Sequence, residues 1–354
     1  VWLMAYTDID DPSAYFTTTL YTSNDTNRTI TNDANAGDFQ PDFLWGKSRN
    51  FAEDHNLVNT SVGVTKHLVS NTDAGEVSDT DRVTGVTSNG FSIGRDHRWN
   101  RESNSNMVVW QWKCNGGTKA DNDDGSITVN LQVNQEAGFS IGTYTGTGSQ
   151  LTLGHGLGVA PKLHITKKLN SADAWNVYHE SIGNTHGLRL NGTGAKEDFG
   201  FYGDTSPTSS VFTVGGVTSN DRLNTDGGSY VFYSFAEKQG YSKFGSYVGN
   251  GSTNGTFAYT GFKPAWVLVK SVDVAQSWQL SDSARNPSNV VNRRIAPNDT
   301  SAESTAHSWI DFLSNGFKIR INDAAYNNNG QDYIYIAFAE NPFVSSEGVP
   351  TTAR

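Results

Sequence analysis

A chain of 354 residues suggests two or three domains, and its composition is acidic and polar: 36% hydrophobic, mean hydropathy −0.51, net charge −10. Lys and Arg form no run longer than a pair such as Lys167 and Lys168, which argues against nucleic acid as a partner, and no apolar stretch approaches the roughly 20 residues of a membrane span. Cys114 is the only cysteine, so no intrachain disulfide and no multi-cysteine metal site can form.

In chain order, "VWLMAY" (residues 1–6) begins in the middle of an aromatic and β-branched pattern. It reads as the last strand of a preceding unit in a longer precursor, so residues 1–11 are assigned to the end of an earlier domain. "FQPDFLWGK" follows from Phe39: an apolar residue, a spacer, Pro41, five mostly apolar or aromatic residues, then Lys47. The proline suits a strand entrance, where its missing N–H costs no ladder bond. The lysine reads as a solvated strand end. "SNGFSIG" from Ser88 carries an Asn-Gly pair suited to a type I′ hairpin turn, as does "SNGFKIR" from Ser314. "GSITVNLQVN" (125–134) alternates apolar and polar residues, the period of a strand with one face buried.

The first motif returns as "VAPKLHITK" from Val159 and "FKPAWVLVK" from Phe262, with Pro161 and Pro264, Lys167 and Lys270. Phe91, Phe212 and Phe317 follow the three prolines by 50, 51 and 53 residues. Met107, Tyr230 and Tyr333 follow by 66, 69 and 69, and Tyr21, Tyr144 and Tyr247 precede by 20, 17 and 17. Four ordered landmarks in three copies make an internal repeat of about 100 residues, large enough for each copy to have its own core. Closing runs such as "YVFYSFA" and "YIYIAFA" fit strands buried on both faces. Helical periodicity is nearly absent, short turns near 171–175 and 301–307 excepted. The expectation is all-β: three tandem β-sandwich, jelly-roll-like domains of six to eight strands at residues 12–114, 137–239 and 240–343. An inserted linker and strand at 115–136 and a tail at 344–354 complete the division. With no linker between them, the second and third copies should pack rigidly together, and the first at a different angle. Phe91, Phe212 and Phe317 should fill equivalent core sites.

The chain resembles the C-terminal tandem-repeat region of tail-fibre-like and other virion surface proteins of marine tailed bacteriophages. The likeness is carried by "YFTTTLYTSND", "GVTKHLVSNT", "DDGSITVNLQVNQEAGFSIGTYTGTG", "GHGLGVAPKLHITKK", "YSFAEKQGYSKFGSYVGNGS", "YIYIAFAENPF" and the terminal "GVPTTAR", and extends over essentially the whole chain. It implies a virion surface component, folded in the reducing host cytoplasm, without catalytic residues to carry over.

Nothing in the sequence matches a nucleophile elbow, a zincin or a P-loop, so the expectation is no enzyme and no cofactor. The leading reading is a structural protein of a virion: a fibre, spike or head-surface appendage that contacts other virion proteins. Thin-cored domains gain stability by burying area between subunits, so self-association is expected, as a trimer in a fibre. The alternatives are a glycan-binding receptor module and, behind it, a polysaccharide depolymerase with a carboxylate pair in a cleft. For contact with a host glycan or a neighbouring subunit the candidate is the loop 94–106, with Trp99 among Arg95, His97, Arg98 and Arg101. The corresponding loops of the other repeats are less basic and lack Trp, which separates this one from the common architecture. "DNDDG" offers a weak calcium candidate in Asp121, Asp123 and Asp124, although the bidentate acid of a calcium loop is missing and a solvated turn is the better reading. His155 in "GHGLG" reads as a turn histidine bonded to backbone. Trp175 and Trp278, matched by His55 in the first repeat, read as core packing.

Overall fold

The computed structural model describes residues 7–32, 38–100, 104–198, 200–215 and 223–351. The strand expected at residues 1–6 lies outside them.

Each repeat forms a large antiparallel sheet with one strand order. In repeat 1 the opening strand Phe16–Thr22 pairs with the closing strand Asn106–Trp112, which pairs with the proline-motif strand Phe43–Ser48 and through it with Asn56–Asn59. Repeat 2 uses Phe139–Thr145, Ser229–Phe235, Leu163–Lys168 and Asn176–His179. Repeat 3 uses Ser242–Val248, Asp332–Pro342, Phe262–Ser271 and Gln279–Asp282. The sequence landmarks turn out to be cross-strand partners, Tyr21 opposite Met107, Tyr144 opposite Tyr230 and Tyr247 opposite Tyr333. The two tyrosine pairs stack with ring centroids 4.9 and 5.1 Å apart.

A smaller sheet covers one face of each large one. It consists of Arg28–Thr31, Val83–Thr87 and Gly90–Ile93 in repeat 1, Leu151–Gly154 and Val211–Val214 in repeat 2, and Phe257–Tyr259, Ile310–Leu313 and Gly316–Ile319 in repeat 3. Phe91, Phe212 and Phe317 project from these sheets into the sandwich interior and are at most 1% exposed. Phe317→Ala is therefore expected to cost about 3–5 kcal/mol, read as a shift in the urea midpoint; an unchanged midpoint would contradict this packing.

The all-β reading holds, and the details differ in instructive ways. The first strand pairs with the last in the large sheet, Phe16–Thr22 with Asn106–Trp112, and Arg28–Thr31 pairs with Gly90–Ile93 in the small one, the nested pairing of a jelly roll, while Phe43–Ser48 with Asn56–Asn59 and Val83–Thr87 with Gly90–Ile93 form local hairpins. Hairpins do form at "SNG", but Ser88–Asn89 and Ser314–Asn315 are their two-residue loops and neither Asn has positive φ. The glycines serve close packing: a Cβ on Gly90 would sit 2.1 Å from the Ile30 carbonyl oxygen, and one on Gly316 2.2 Å from that of Ala258. Pro41 and Pro161 stand just ahead of their strands, while Pro264 lies inside Phe262–Ser271, where a register shift removes the need for its N–H. Helix is confined, among the described residues, to Pro12–Ala14, His97–Asn100 and Glu180–Ile182; 171–175 and 301–307 are irregular. The segment 115–136 adds Ala120–Asn122 and Val129–Asn134 to the edge of the second large sheet.

The closing strands are buried on both faces because each lies between two cores. One face meets the small sheet of its own repeat. The opposite face enters a single apolar core shared by all three repeats, with Trp45, Trp110 and Trp112 from the first, Trp175, Tyr233 and Phe235 from the second, and Trp266, Trp278 and Phe338 from the third. The Phe338 ring lies 5.6 Å from Trp112, 5.8 Å from Phe235 and 5.8 Å from Trp266, and so meets aromatic rings of all three repeats. Repeat 1 thus contributes to the common core alongside the other two, despite the longer segment that connects it.

Candidate functional site

The polar groups singled out by the repeat pattern converge on the junctions between repeats. At the head of the fourth strand, Trp175 Nε1 donates to the Val69 carbonyl at 2.9 Å and Trp278 Nε1 to the Arg189 carbonyl at 2.9 Å. His55, at the matched place in repeat 1, meets the Ala296 carbonyl through Nε2 at 3.1 Å. Repeat 2 thereby grips repeat 1, repeat 3 grips repeat 2, and repeat 1 grips repeat 3. The backbone N–H groups of these three residues are received by the side-chain carbonyls of Asn191, Asn298 and Asn71. At the tail of the same strands the bonds run the other way: Asn59 Nδ2 donates to the Tyr233 hydroxyl at 2.9 Å, His179 Nε2 meets the Tyr335 carbonyl at 3.2 Å, and Asp282 accepts from Trp110 Nε1 at 3.0 Å. Three like interfaces taken in cyclic order close a ring within one chain.

The motif lysines belong to this ring, which corrects their reading as solvated strand ends. Lys47, Lys167 and Lys270 are 0% exposed. Their ammonium groups donate to the carbonyls of Ser48, Lys168 and Ser271 at 2.6–2.7 Å. Lys167 also reaches the Asp73 carbonyl and Lys270 the Thr193 carbonyl, each at 3.2 Å and each in the preceding repeat. Burial lowers all three from the ordinary lysine value to about 8.

The third interface adds a buried ionic network that the sequence reading missed. Arg285 holds Asp282 at 2.5 Å and Glu303 at 3.0 Å, and its side chain and that of Asp282 are 0% exposed. Arg49 reaches across from repeat 1 to bind both Glu303 oxygens at 3.1 and 3.0 Å, and Arg293 adds a bond at 2.6 Å. Hydrogen bonds and charge from these arginines hold the Glu303 carboxyl below its usual range despite burial. Asp282 occupies the place of Asn59 and His179, so comparing strand ends across the repeats would have marked it. Arg285 and Glu303 have no such counterpart.

The histidines of these junctions are locked neutral. Trp45 Nε1 donates to His55 Nδ1 at 2.9 Å, which puts the His55 proton on Nε2 facing Ala296. His179 accepts from the Ser181 N–H and His155 from the Leu157 N–H in the same manner, and His155 turns Nε2 to the Thr208 carbonyl, the backbone-bonded turn histidine expected. Burial lowers His67 and His179 to about 4 and brings His55 and His164 well below the ordinary imidazole value.

The loop 94–106 is where the structure most changes the expectation. Trp99 is 0% exposed: its ring fills the repeat 1 sandwich 5.9 Å from Phe91 and over Gly46, where a Cβ would come within 2.7 Å of it. It offers no face to a sugar. Tyr21 donates to the Trp99 carbonyl and the adjacent Asn100 caps the Thr26 and Gly94 carbonyls; Tyr144 with Leu223 and Asn224, and Tyr247 with Tyr326 and Asn327, repeat the arrangement. Trp99 is one version of a shared core position occupied by Leu223 and Tyr326, and Trp99→Ala should lower stability by about 3–5 kcal/mol in denaturant titration. Arg95 is bonded to both Asp25 oxygens at 3.1 and 2.7 Å, Arg98 lies 3.7 Å from Asp54, and His97 lies 3.5 Å from Asp96. These carboxylates compensate the basic charge read from the sequence. Arg101 lies outside the described residues. Asp121, Asp123 and Asp124 are bonded separately to Asn130, Thr128 and Asn122, and no group of three or more His, Cys, Asp or Glu suited to a metal ion occurs among the described residues. No helix of the structure, among the described residues, is long and apolar enough to cross a membrane.

No curated protein and no solved structure matches the chain. One family model takes in all three repeats together, over residues 11–342, and the chain accordingly belongs to DUF7483, a domain of unknown function.

Proposed function

We propose that the chain is a non-enzymatic structural module of a bacteriophage virion surface, one whose polar chemistry is committed to holding three repeats in a ring. The observation that carries this reading is the fate of the groups suited to catalysis. His55 and His179 are inter-repeat fasteners with fixed protons, and the carboxylates Asp282 and Glu303 are joined by Arg285 at 0–6% exposure. A depolymerase needs two carboxylates facing a sugar in an open cleft; this pair faces an arginine in a closed interface. The virion assignment rests on the sequence resemblance. The apolar core shared by the three repeats of one chain supports reading a single copy as the structural unit, with its outer faces left for further copies and for other virion proteins.

The test is to raise an antibody against this chain and follow it through density-gradient purification of the phage particles that encode it. Co-sedimentation that survives high salt, with labelling at the particle surface, supports the proposal. Recovery in the soluble lysate alone, or release of reducing ends from host polysaccharide by the purified chain, overturns it.

A further inference from the structure

Repeat 3 carries a surface feature that its two sister repeats lack. Phe257 and Tyr259 stand two residues apart on the edge strand of its small sheet, 41% and 57% exposed. The pairing register identifies their counterparts, because the residue opposite Gly316 is Tyr259, the residue opposite Gly90 is Thr31, and the residue opposite Val211 is Gly154. Phe257 likewise corresponds to Thr29 and Thr152. Two copies of the same architecture do without aromatic rings at these places, so the fold does not require them.

Tyr259 also walls a cavity of about 310 Å³ at the junction of repeats 2 and 3. Half-buried Phe343 lines it as a second aromatic wall, and Glu237, Gln239 and Lys243 supply polar groups. Lys243 Nζ is bonded to Glu237 Oε1 at 2.6 Å, with about a third of each side chain exposed. The Tyr259 backbone is pinned by the Tyr335 hydroxyl at 3.0 Å, so the ring stands on a rigid support.

We propose that this cavity is a binding site for a neutral sugar ring of a surface glycan. The C–H face of a pyranose packs on an aromatic ring, and its hydroxyls both donate and accept hydrogen bonds. A Lys–Glu pair with a neighbouring amide offers both roles with no net charge. The volume lies at the lower end of ligand-pocket size, about 300–1,000 Å³. A second copy of the chain is a poorer occupant: the exposed parts of Phe257 and Tyr259 amount to about 200 Å², against the roughly 800 Å² that each partner of a stable complex buries.

The experiment is saturation-transfer NMR on the full chain with maltotriose, cellotriose, chitotriose and mannotriose, each titrated to 20 mM, beside Tyr259→Ala, Tyr259→Trp and Lys243→Gln. The expected result is saturable binding of at least one trisaccharide at millimolar concentration, weakened at least tenfold by Tyr259→Ala and kept by Tyr259→Trp. Thermal melting monitors the fold, which the exposed Tyr259 ring should leave unchanged. No saturable binding by any of the four, or binding indifferent to Tyr259→Ala, overturns the proposal. So does a dimer in light scattering that Tyr259→Ala converts to monomer, since the face would then be a contact between copies. Because the readout is sugar binding in solution, its failure leaves the virion reading to its own test.

Discussion

Acidification should unfold this protein well above the pH at which its carboxylates protonate. His55, His67, His164 and His179 are 0% exposed, and burial depresses the folded-state value of each. The unfolded chain therefore takes up protons near pH 6.5 that the folded chain refuses, and stability is lost as pH falls below that value. Each such histidine changes the folding constant by up to about fivefold between pH 6.5 and 5.5 and about tenfold per unit below that, so four together reach about 10³-fold over the first of these units. For His67 and His179 the loss continues down to about pH 4, their folded values. Geometry gives the same sign: a proton on His55 Nδ1 would face the Trp45 N–H, and one on His179 Nδ1 the Ser181 N–H. Urea midpoints at pH 8, 7, 6 and 5 should fall modestly from 8 to 7, where Lys47, Lys167 and Lys270, held at about 8 when folded, are still taking up protons that the unfolded chain already carries, and steeply from 7 to 5. His179→Gln should reduce the slope, while His307→Gln, an exposed site, should not. A midpoint constant from pH 8 to 5 would contradict the neutral burial of these residues.

The second large effect is expected at the interface of repeats 3 and 1. Asp282→Ala leaves the fully buried Arg285 without its closest counter-charge and removes the acceptor of Trp110 Nε1. Breaking one side of a buried pair costs about 3–5 kcal/mol, most of it the penalty of the stranded charge. Replacing both partners with apolar residues, Asp282→Leu with Arg285→Met, should recover a large part of that loss. If the double variant is as unstable as the single one, hydrogen bonding to Trp110 and Glu303, and not the stranded charge, dominates. A loss below about 1 kcal/mol in the single variant would show the network to be a surface-like pair.

Much of the fold was legible because the repeat landmarks are partners in space. Prolines, phenylalanines and paired tyrosines recur at fixed intervals since each holds a set place in the sheet register. The relation between repeats was not legible, because period-2 patterning says that a strand face is apolar without saying what covers it. The closing strands, apolar on both faces, carried the hint: two faces need two covers, and a sandwich supplies one. The motif lysines misled for a related reason, since a charge at a strand end usually faces water, and only tertiary carbonyls such as those of Asp73 and Thr193 make burial tolerable. Trp99 misleads because the basic charge of its loop hides its place in the repeat, which the shared "RWN", "RLN" and "AYN" set beside Leu223 and Tyr326. Phe257 and Tyr259 escaped notice because exposure of an aromatic ring on a short edge strand is decided by packing alone.

The central claim is that three repeats form one ring around one core, and differential scanning calorimetry at pH 7.5 tests it most directly. Separate domains of this length would melt in up to three steps, with a calorimetric enthalpy two to three times the van't Hoff value. A ring closed by matched bonds at every junction should melt in a single transition with a ratio near one, and Asp282→Ala should move that whole transition to lower temperature. Independent transitions, or an Asp282→Ala effect confined to one of them, would contradict the account.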